Sequence, residues 1–508
     1  MAKPIVCVIG AGTAALEGLL CARETFGAAA QLRLVAPDDE FRYRPMSRDS
    51  LFRPAREQAL AIAELVAQAG AAWTTDRADF IDDSAGTVVT RDGETVDYDF
   101  LLLAPGARPA RTLRHGFVWQ RGGDPGFLDR IIRELAAGET RSVAVAVPRG
   151  ARWPLPAYEL ALVLAWTSAG SDARIVLLTA EEQPLGALGA QASEAVTRQL
   201  EDAGVETIAG VEVVDQPEHD GQPQDAAGVI LLPEQLSGRP DPLIAKPSDP
   251  ARVRLADGSQ AEFDRLISLP TVIGPIIAGV PTDAAGFIEI DADLRVCGSE
   301  RIWAAGGCVA AALEHSALSA RQADAAIAAI ATSHDGTREG EPAPTGPLQP
   351  TGVLELTGVL LTGQRERWLA ENPPGTQEPS TRCLWWPPGR AVGRMLAERI
   401  AAWNPAIDSA LPDLPDGVVI RAPVVLGCSG RHTPATSTPV SADVRAARLR
   451  DIENRQLLAI RRRELAAEAE LRSLSAGLQT LATRQQQTVR ELQQHGYLRD
   501  RAVPESSG

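Results

Sequence analysis

The opening of the chain constrains its fold more than any other stretch. Pro4 to Ile9 (P-I-V-C-V-I) is an unbroken apolar run, the pattern of a parallel strand buried on both faces. Gly10-x-Gly12-x-x-Ala15 follows it directly, and Leu16–Phe26 then reads as a helix. Gly10 permits a tight turn, Gly12 lets a diphosphate approach the backbone, and Ala15 allows close helix–strand packing. The unpaired amides at the start of the helix attract phosphate charge. Gln31–Val35 (Q-L-R-L-V) supplies a second strand. The unit therefore fits within about 35 residues, the size of a dinucleotide-binding βαβ.

Composition bounds the rest. A chain of 508 residues has room for two or three domains with substantial cores. Its formal charge of -16 argues against a nucleic-acid partner or an anionic membrane surface, and any membrane contact is expected to be peripheral. The N-terminus lacks the pattern of a secretory leader, and no apolar run approaches the length of a membrane span. A cytoplasmic protein is the expectation. Six cysteines and six histidines are scattered without metal-ligand spacing, so no metal site is expected.

Further elements follow in α/β order. Arg56–Ala69 reads as helix; Phe80–Ile81, Thr87–Thr90, Thr95–Asp97 and Asp99–Ala104 read as strands, the last ended by Pro105-Gly106. A second unit starts near Arg141, with strands Ser142–Val147 and Arg174–Thr179 and helices Ala157–Ala165 and Ala190–Ala203. Leu266–Leu269, Gly286–Asp291 and Arg301–Ala305 read as strands, Ser319–Ala331 as helix, Val353–Thr362 as strand and Ala391–Trp403 as an amphipathic helix. The tail differs from the body: from Ser441 onward it holds twelve arginines against nine acidic residues and is dominated by Arg, Glu, Gln, Ala and Leu. Leu471, Leu474, Leu478, Leu481, Gln485, Thr488 and Leu492 alternate spacings of three and four, which is the seam of a coiled coil. Residues 441–495 are thus expected to self-associate or to engage a protein partner.

The chain resembles the two-dinucleotide-binding-domain flavoproteins, in particular the branch of sulfide:quinone reductases and type II NADH dehydrogenases. The resemblance rests on the Gly10 fingerprint, on Tyr98-Asp-Phe-Leu-Leu-Leu-Ala-Pro-Gly106, and on Gly286-Phe-Ile-Glu-Ile-Asp291 followed by Ile302-Trp-Ala-Ala-Gly306. Arg44-Pro45 falls where the branch has a loop near the flavin, and Trp385-Trp386-Pro-Pro388 resembles a C-terminal motif of the group. It implies an α/β fold of tandem Rossmann-like FAD and NAD(P)-type domains (three-layer β-β-α and α-β-α), here followed by a coiled-coil helix. The expected divisions are 1–110 for the first part of the FAD domain, 111–284 for the second domain, and 285–335 for the return to the first. A cap or interface region at 336–420, a linker at 421–440 and the coiled coil at 441–495 complete them. The implied activity is electron transfer through FAD from a small-molecule donor to an acceptor such as a quinone.

Several positions depart from the family pattern. The acidic residue that binds the adenosine ribose is replaced by Ala36, with Asp38 two positions on as its substitute. The hydroxyl-bearing motif becomes Ala104-Pro105-Gly106, and the acidic residue that holds the ribityl chain becomes Gly307 after Gly306, with Cys308 next. Each loss removes hydrogen bonds of on the order of 1–3 kcal/mol. The expected FAD contacts are therefore Gly10, Gly12, Ala15, Ala36, Asp38, Arg44, Pro45, Ala104, Pro105, Gly106, Gly306 and Gly307. In the second domain the glycine turn is replaced by Val147-Pro-Arg149-Gly-Ala-Arg152-Trp153-Pro154, so ordinary NAD(P)H binding is expected to be lost. Arg149 and Arg152 remain as candidate phosphate ligands, and Glu159 matches the family's helix-start glutamate. No cysteine lies between Cys21 and Cys297, which removes the cysteine pair of sulfide chemistry. The catalytic residues are unassigned. A rival expectation is a degenerate flavoprotein fold acting as a scaffold through its tail.

Overall fold

The computed structural model describes residues 3–43, 58–110, 116–119, 125–214, 251–255, 258–275, 277–311, 313–335, 353–357, 359–361, 366–368, 382–384, 393–403 and 422–425. The chain divides into two compact units, 1–90 with 95–438 and 91–94 with 439–508. The elements below belong to the first. The expected coiled coil, the expected linker apart from Ala422–Val425, and Trp385 and Trp386 lie outside the described residues; Ala422–Val425 is a strand that pairs antiparallel with Val353–Leu356.

β1 (Ile5–Ile9), α1 (Thr13–Phe26) and β2 (Gln31–Val35) form the opening βαβ. β1 and β2 run parallel, Ile5 opposite Gln31 and Ile9 opposite Val35. β3 (Glu40–Tyr43) and β4 (Gln58–Ala61) then pair antiparallel, with Glu40 opposite Ala61. This corrects the helix expected over residues 56–69: helix α2 spans only Ile62–Ala69. Pairing with β3 satisfies the backbone of Gln58–Ala61 in an extended form, so the helical spacing of its side chains does not decide the matter. Next come β5 (Ala71–Thr74), the antiparallel group β6 (Ala78–Asp82), β7 (Thr87–Thr90) and β8 (Thr95–Asp97), and then β9 (Phe100–Leu103).

β10 (Arg108–Ala110), β11 (Phe117–Val118) and α3 (Pro125–Ala136) lead to β12 (Ser142–Val147), α4 (Leu155–Thr167), β13 (Arg174–Thr179), α5 (Ala190–Asp202) and β14 (Glu206–Ile208). After β15 (Val213–Val214) come β16 (Ala251–Leu255), β17 (Gln260–Phe263), β18 (Arg265–Ser268) and β19 (Thr271–Ile273). β20 (Ile302–Ala304), α6 (Ser316–Asp335) and α7 (Arg394–Trp403) follow. Two five-stranded sheets result, in the orders β20-β9-β1-β2-β5 and β11-β18-β12-β13-β14. Every neighbouring pair in both is parallel. The apolar runs β1, β9, β12 and β13 are inner strands and almost wholly buried, as their composition suggests, whereas the edge strands β5 and β14 are partly exposed.

The strand expected at Gly286–Asp291 does not form. Ile288 makes only isolated bridges, to Thr282 and Val309, and Ile290 one to Val296. Gly286 has φ +80°, and the Asp291 carboxylate accepts the amides of Asp293 and Arg295. The segment is thus bounded by turns too close together for a ladder. The helix expected from Ala391 is described from Arg394, and it is a cap on the first sheet's helices. Its amides at Met395 and Leu396 donate to the two oxygens of Glu17 in α1, at 2.9 and 2.7 Å. Burial, reinforced by Asp324, raises the Glu17 carboxyl from its ordinary value to about 7, against the pull of those two amides and Arg394. None of the described helices is long and apolar enough to cross a membrane.

Candidate dinucleotide site

Gly10 ends β1 with φ +116°, a conformation that favours glycine, and a Cβ there would stand 2.2 Å from the carbonyl oxygen of Ala104. The first turn is thus pressed against the end of β9. Gly12 caps α1 in an extended conformation without a side-chain hydrogen bond, and a Cβ on it would meet nothing within 4 Å. The positive end of α1 therefore faces open space with bare backbone, as an incoming anion requires. Ala15 is fully buried beneath this turn.

A cavity of about 420 Å³ opens at this point. Gly12, Thr13 and Ala14 line it beside Ala104 and Gly106 from the end of β9, and Gly306 and Gly307 from the turn after β20. The three glycine segments, nearly 300 residues apart in sequence, meet because β1, β9 and β20 are neighbours in one sheet. At Gly306, φ is +82° and its amide donates to Gln322 Oε1 at 2.8 Å. Gly106 has φ +76° with open space before it.

The other wall comes from the second sheet: Trp119, Ala151, Arg152, Trp153, Pro156, Leu269, Pro270 and Val272 line it. Arg152 crosses to the first half of the fold. Its Nη1 donates to the carbonyls of Val309 at 2.7 Å and Gly307 at 3.3 Å, and its guanidinium lies 3.4 Å from the centre of the Phe287 ring. Burial lowers the Arg152 pKa, while Glu314, Asp283 and Cys308 oppose that effect. Glu314, whose amide donates to the Arg152 carbonyl at 3.0 Å, also lines the cavity. Its carboxyl pKa is raised by burial, with the Arg152 charge acting the other way. The Trp153 and His315 rings pack tilted by 41°, with 4.7 Å between ring centres.

Other candidate residues lie elsewhere. Ala36 is buried and off the cavity; its amide donates to Thr74, and its carbonyl accepts the Trp73 indole N–H at 3.1 Å. Asp38 is exposed. Pro105 lies between two lining residues without lining the cavity itself. Arg44 and Pro45 lie outside the described residues. Arg149 is paired with Glu212 at 3.0 Å on the surface, and Glu159 is fully buried in α4. Cys308 is sealed in the core with its Sγ 3.2 Å from the Ala305 carbonyl and 3.4 Å from that of Leu103, and burial pushes its thiol up to about 12. Such a thiol is structural, not a nucleophile.

Sequence reasoning did not single out Glu314, His315, Ser319 or Trp119. Their position depends on the chain returning to the first sheet at β20 and on the second sheet facing it.

Residues 4–332 match the family model described as pyridine nucleotide-disulphide oxidoreductase. Among solved structures, the chain is similar in fold to the sulfide:quinone oxidoreductase of the hyperthermophilic bacterium Aquifex aeolicus. The TM-score is 0.55 at 17% identity, covering 72% of this chain and 83% of that one. A ferredoxin reductase from Rhodopseudomonas palustris is similar with a TM-score of 0.46 and 17% identity, over 74% of this chain and 84% of that one.

Proposed function

Because the chain belongs to the pyridine nucleotide-disulphide oxidoreductase family, we propose that it is an FAD-dependent oxidoreductase that passes electrons from a small-molecule donor to an acceptor such as a quinone. The observation that carries this reading is the single cavity in which the N-terminus of α1 meets the glycine turns at Gly106 and Gly306. Three properties of the residues fit the cofactor. Gly10 is held where no side chain is tolerated, Gly12 leaves the helix amides bare, and a buried carboxylate oxygen on Glu314 has no partner among the described residues.

In this reading the amides of Gly12, Thr13 and Ala14 hold the diphosphate, and Ala104, Gly106, Gly306 and Gly307 pass the remaining chain of the cofactor along bare backbone. Asp38, exposed beyond β2, supplies the carboxylate for the adenosine ribose, since Ala36 has no side chain to offer. Bound FAD supplies reversible acceptance of a hydride or of two electrons. The protein's part is to orient it and to exclude water. The wall of Trp119, Trp153, Pro156 and Leu269 does the latter.

A nicotinamide nucleotide is not the donor in this reading. Arg152, in the turn that would cradle its diphosphate, is already committed to the carbonyls of Gly307 and Val309, and Trp153 fills the space beside it. The visible spectrum of the purified full-length chain tests the proposal. Flavin bands support it. A folded protein that stays colourless after incubation with excess FAD overturns it, and one that in addition oligomerises only with residues 441–508 present supports the scaffold reading.

A further inference from the structure

The glycine turns account for the backbone of the cavity and leave one charged group in it unexplained. Glu314 Oε2 is closed off from solvent and has no hydrogen-bond partner among the described residues. Leaving a buried carboxyl oxygen unsatisfied costs about 1–3 kcal/mol or more, so such a group points to a ligand that donates to it. Its other oxygen, Oε1, lies 2.5 Å from the point that a Cβ on Gly307 would occupy. The carboxylate thus fills the space that any larger residue at 307 would take. Burial raises the carboxyl pKa, while Arg152, whose Nη1 reaches the Gly307 carbonyl at 3.3 Å, acts the other way and favours the ionised, hydrogen-bond-accepting form.

The distance from this group to the phosphate end is bridged by contacts within the same cavity. A Cβ on Gly306 would stand 3.0 Å from the Cβ of Ala14 in the first turn of α1, and Gly307 is the next residue along. A ligand that sets a diphosphate on α1 therefore runs past Gly306 toward Glu314. In FAD the segment joined to the diphosphate on the flavin side is a polyhydroxylated ribityl chain, which is a row of hydroxyl donors. Resting on the flavin reading above, we infer that Glu314 accepts the ribityl hydroxyls of FAD from a position seven residues beyond Gly307, and that the missing side chain at Gly307 is what makes room for it.

The test measures binding of FAD and of ADP to the flavin-free, full-length chain, for the parent and for Glu314→Ala and Glu314→Gln. ADP carries the diphosphate but no ribityl chain. The expected result is that Glu314→Ala weakens FAD at least tenfold and ADP less than twofold, with Glu314→Gln, which keeps one acceptor oxygen, in between for FAD. Unchanged FAD affinity in Glu314→Ala overturns the assignment while leaving the flavin reading intact. Equal loss of both ligands, with the two variants alike, also overturns it, because the residue would then only shape the cavity. A parent chain that binds ADP and not FAD, or neither, overturns the flavin reading and this inference with it.

Discussion

Gly10 and Ala104 are in backbone contact: the Ala104 carbonyl oxygen stands 2.2 Å from where a Cβ on Gly10 would be, and Gly10 has φ +116°. The contact locks the first turn of the βαβ against the end of β9, two strands that pair in parallel from Val6 opposite Phe100 to Ile9 opposite Leu103. It fixes the floor of the cavity before any ligand arrives.

Gly10→Ala therefore introduces both backbone strain and a clash with backbone atoms. Each costs about 1–3 kcal/mol. The expected outcome is a destabilisation of about 3 kcal/mol in urea unfolding and loss of any bound flavin. Gly12→Ala, where a Cβ meets nothing within 4 Å, is expected to unfold at nearly the parent midpoint and to lose flavin affinity only.

The seam at Arg152 gives a second expectation. Its two hydrogen bonds to carbonyls at 2.7 and 3.3 Å are charge-assisted and largely removed from water. Arg152→Ala is expected to destabilise the chain by about 2–4 kcal/mol. Arg152→Lys is expected to recover less than half of that, because a shorter ammonium side chain loses the flat contact of the guanidinium with the Phe287 ring. Thermal unfolding of the three proteins at one pH checks the order.

Stability is expected to depend on pH through Glu17. Its folded-state pKa, about 7, lies above the ordinary 4.5. The native state therefore holds the proton more tightly than the unfolded state between those values. The sign follows: the contribution of this group favours the fold below about pH 4.5 and is lost as pH rises toward 7, by about 3 kcal/mol over the window. Glu17→Gln is expected to flatten that part of the profile. Urea midpoints between pH 4.5 and 7.5 measure it; an unchanged slope in the variant contradicts the assignment.

The βαβ opening, the strands β9, β12 and β13 and the helices α4 to α6 were legible because each carries a strong local pattern: an apolar run, a glycine turn, or a helix of alanine and leucine. The hairpin of β3 and β4 was not, since its pairing depends on a partner residues away and its side chains happen to sit at helical spacing. Gly286–Asp291 failed in the opposite sense, alternating like a strand while the turns around it limit its pairing to isolated bridges. At the site, Gly12, Gly106 and Gly306 could be named from motifs. Glu314 could not, because what makes it notable is the empty position at Gly307, and vacancy is visible only once two segments are placed side by side.

Thiol reactivity is expected to separate the described cysteines. Cys7, Cys21 and Cys308 are buried, and Cys297 is partly exposed; burial raises the first three to about 12. Peptide mapping after brief treatment of the native protein with a maleimide should find Cys297 modified and Cys308 unmodified, with Cys308 labelled only in denaturant. Rapid native labelling of Cys308 would show that it is accessible to redox chemistry.

The central claim is that the glycine turns form a flavin site. Its most direct test is the absorbance spectrum of the folded full-length chain after incubation with FAD and removal of the excess. Oxidised-flavin bands at about 370 and 450 nm are expected, at one flavin per chain and released on unfolding. A folded chain that retains no flavin at saturating FAD would contradict it.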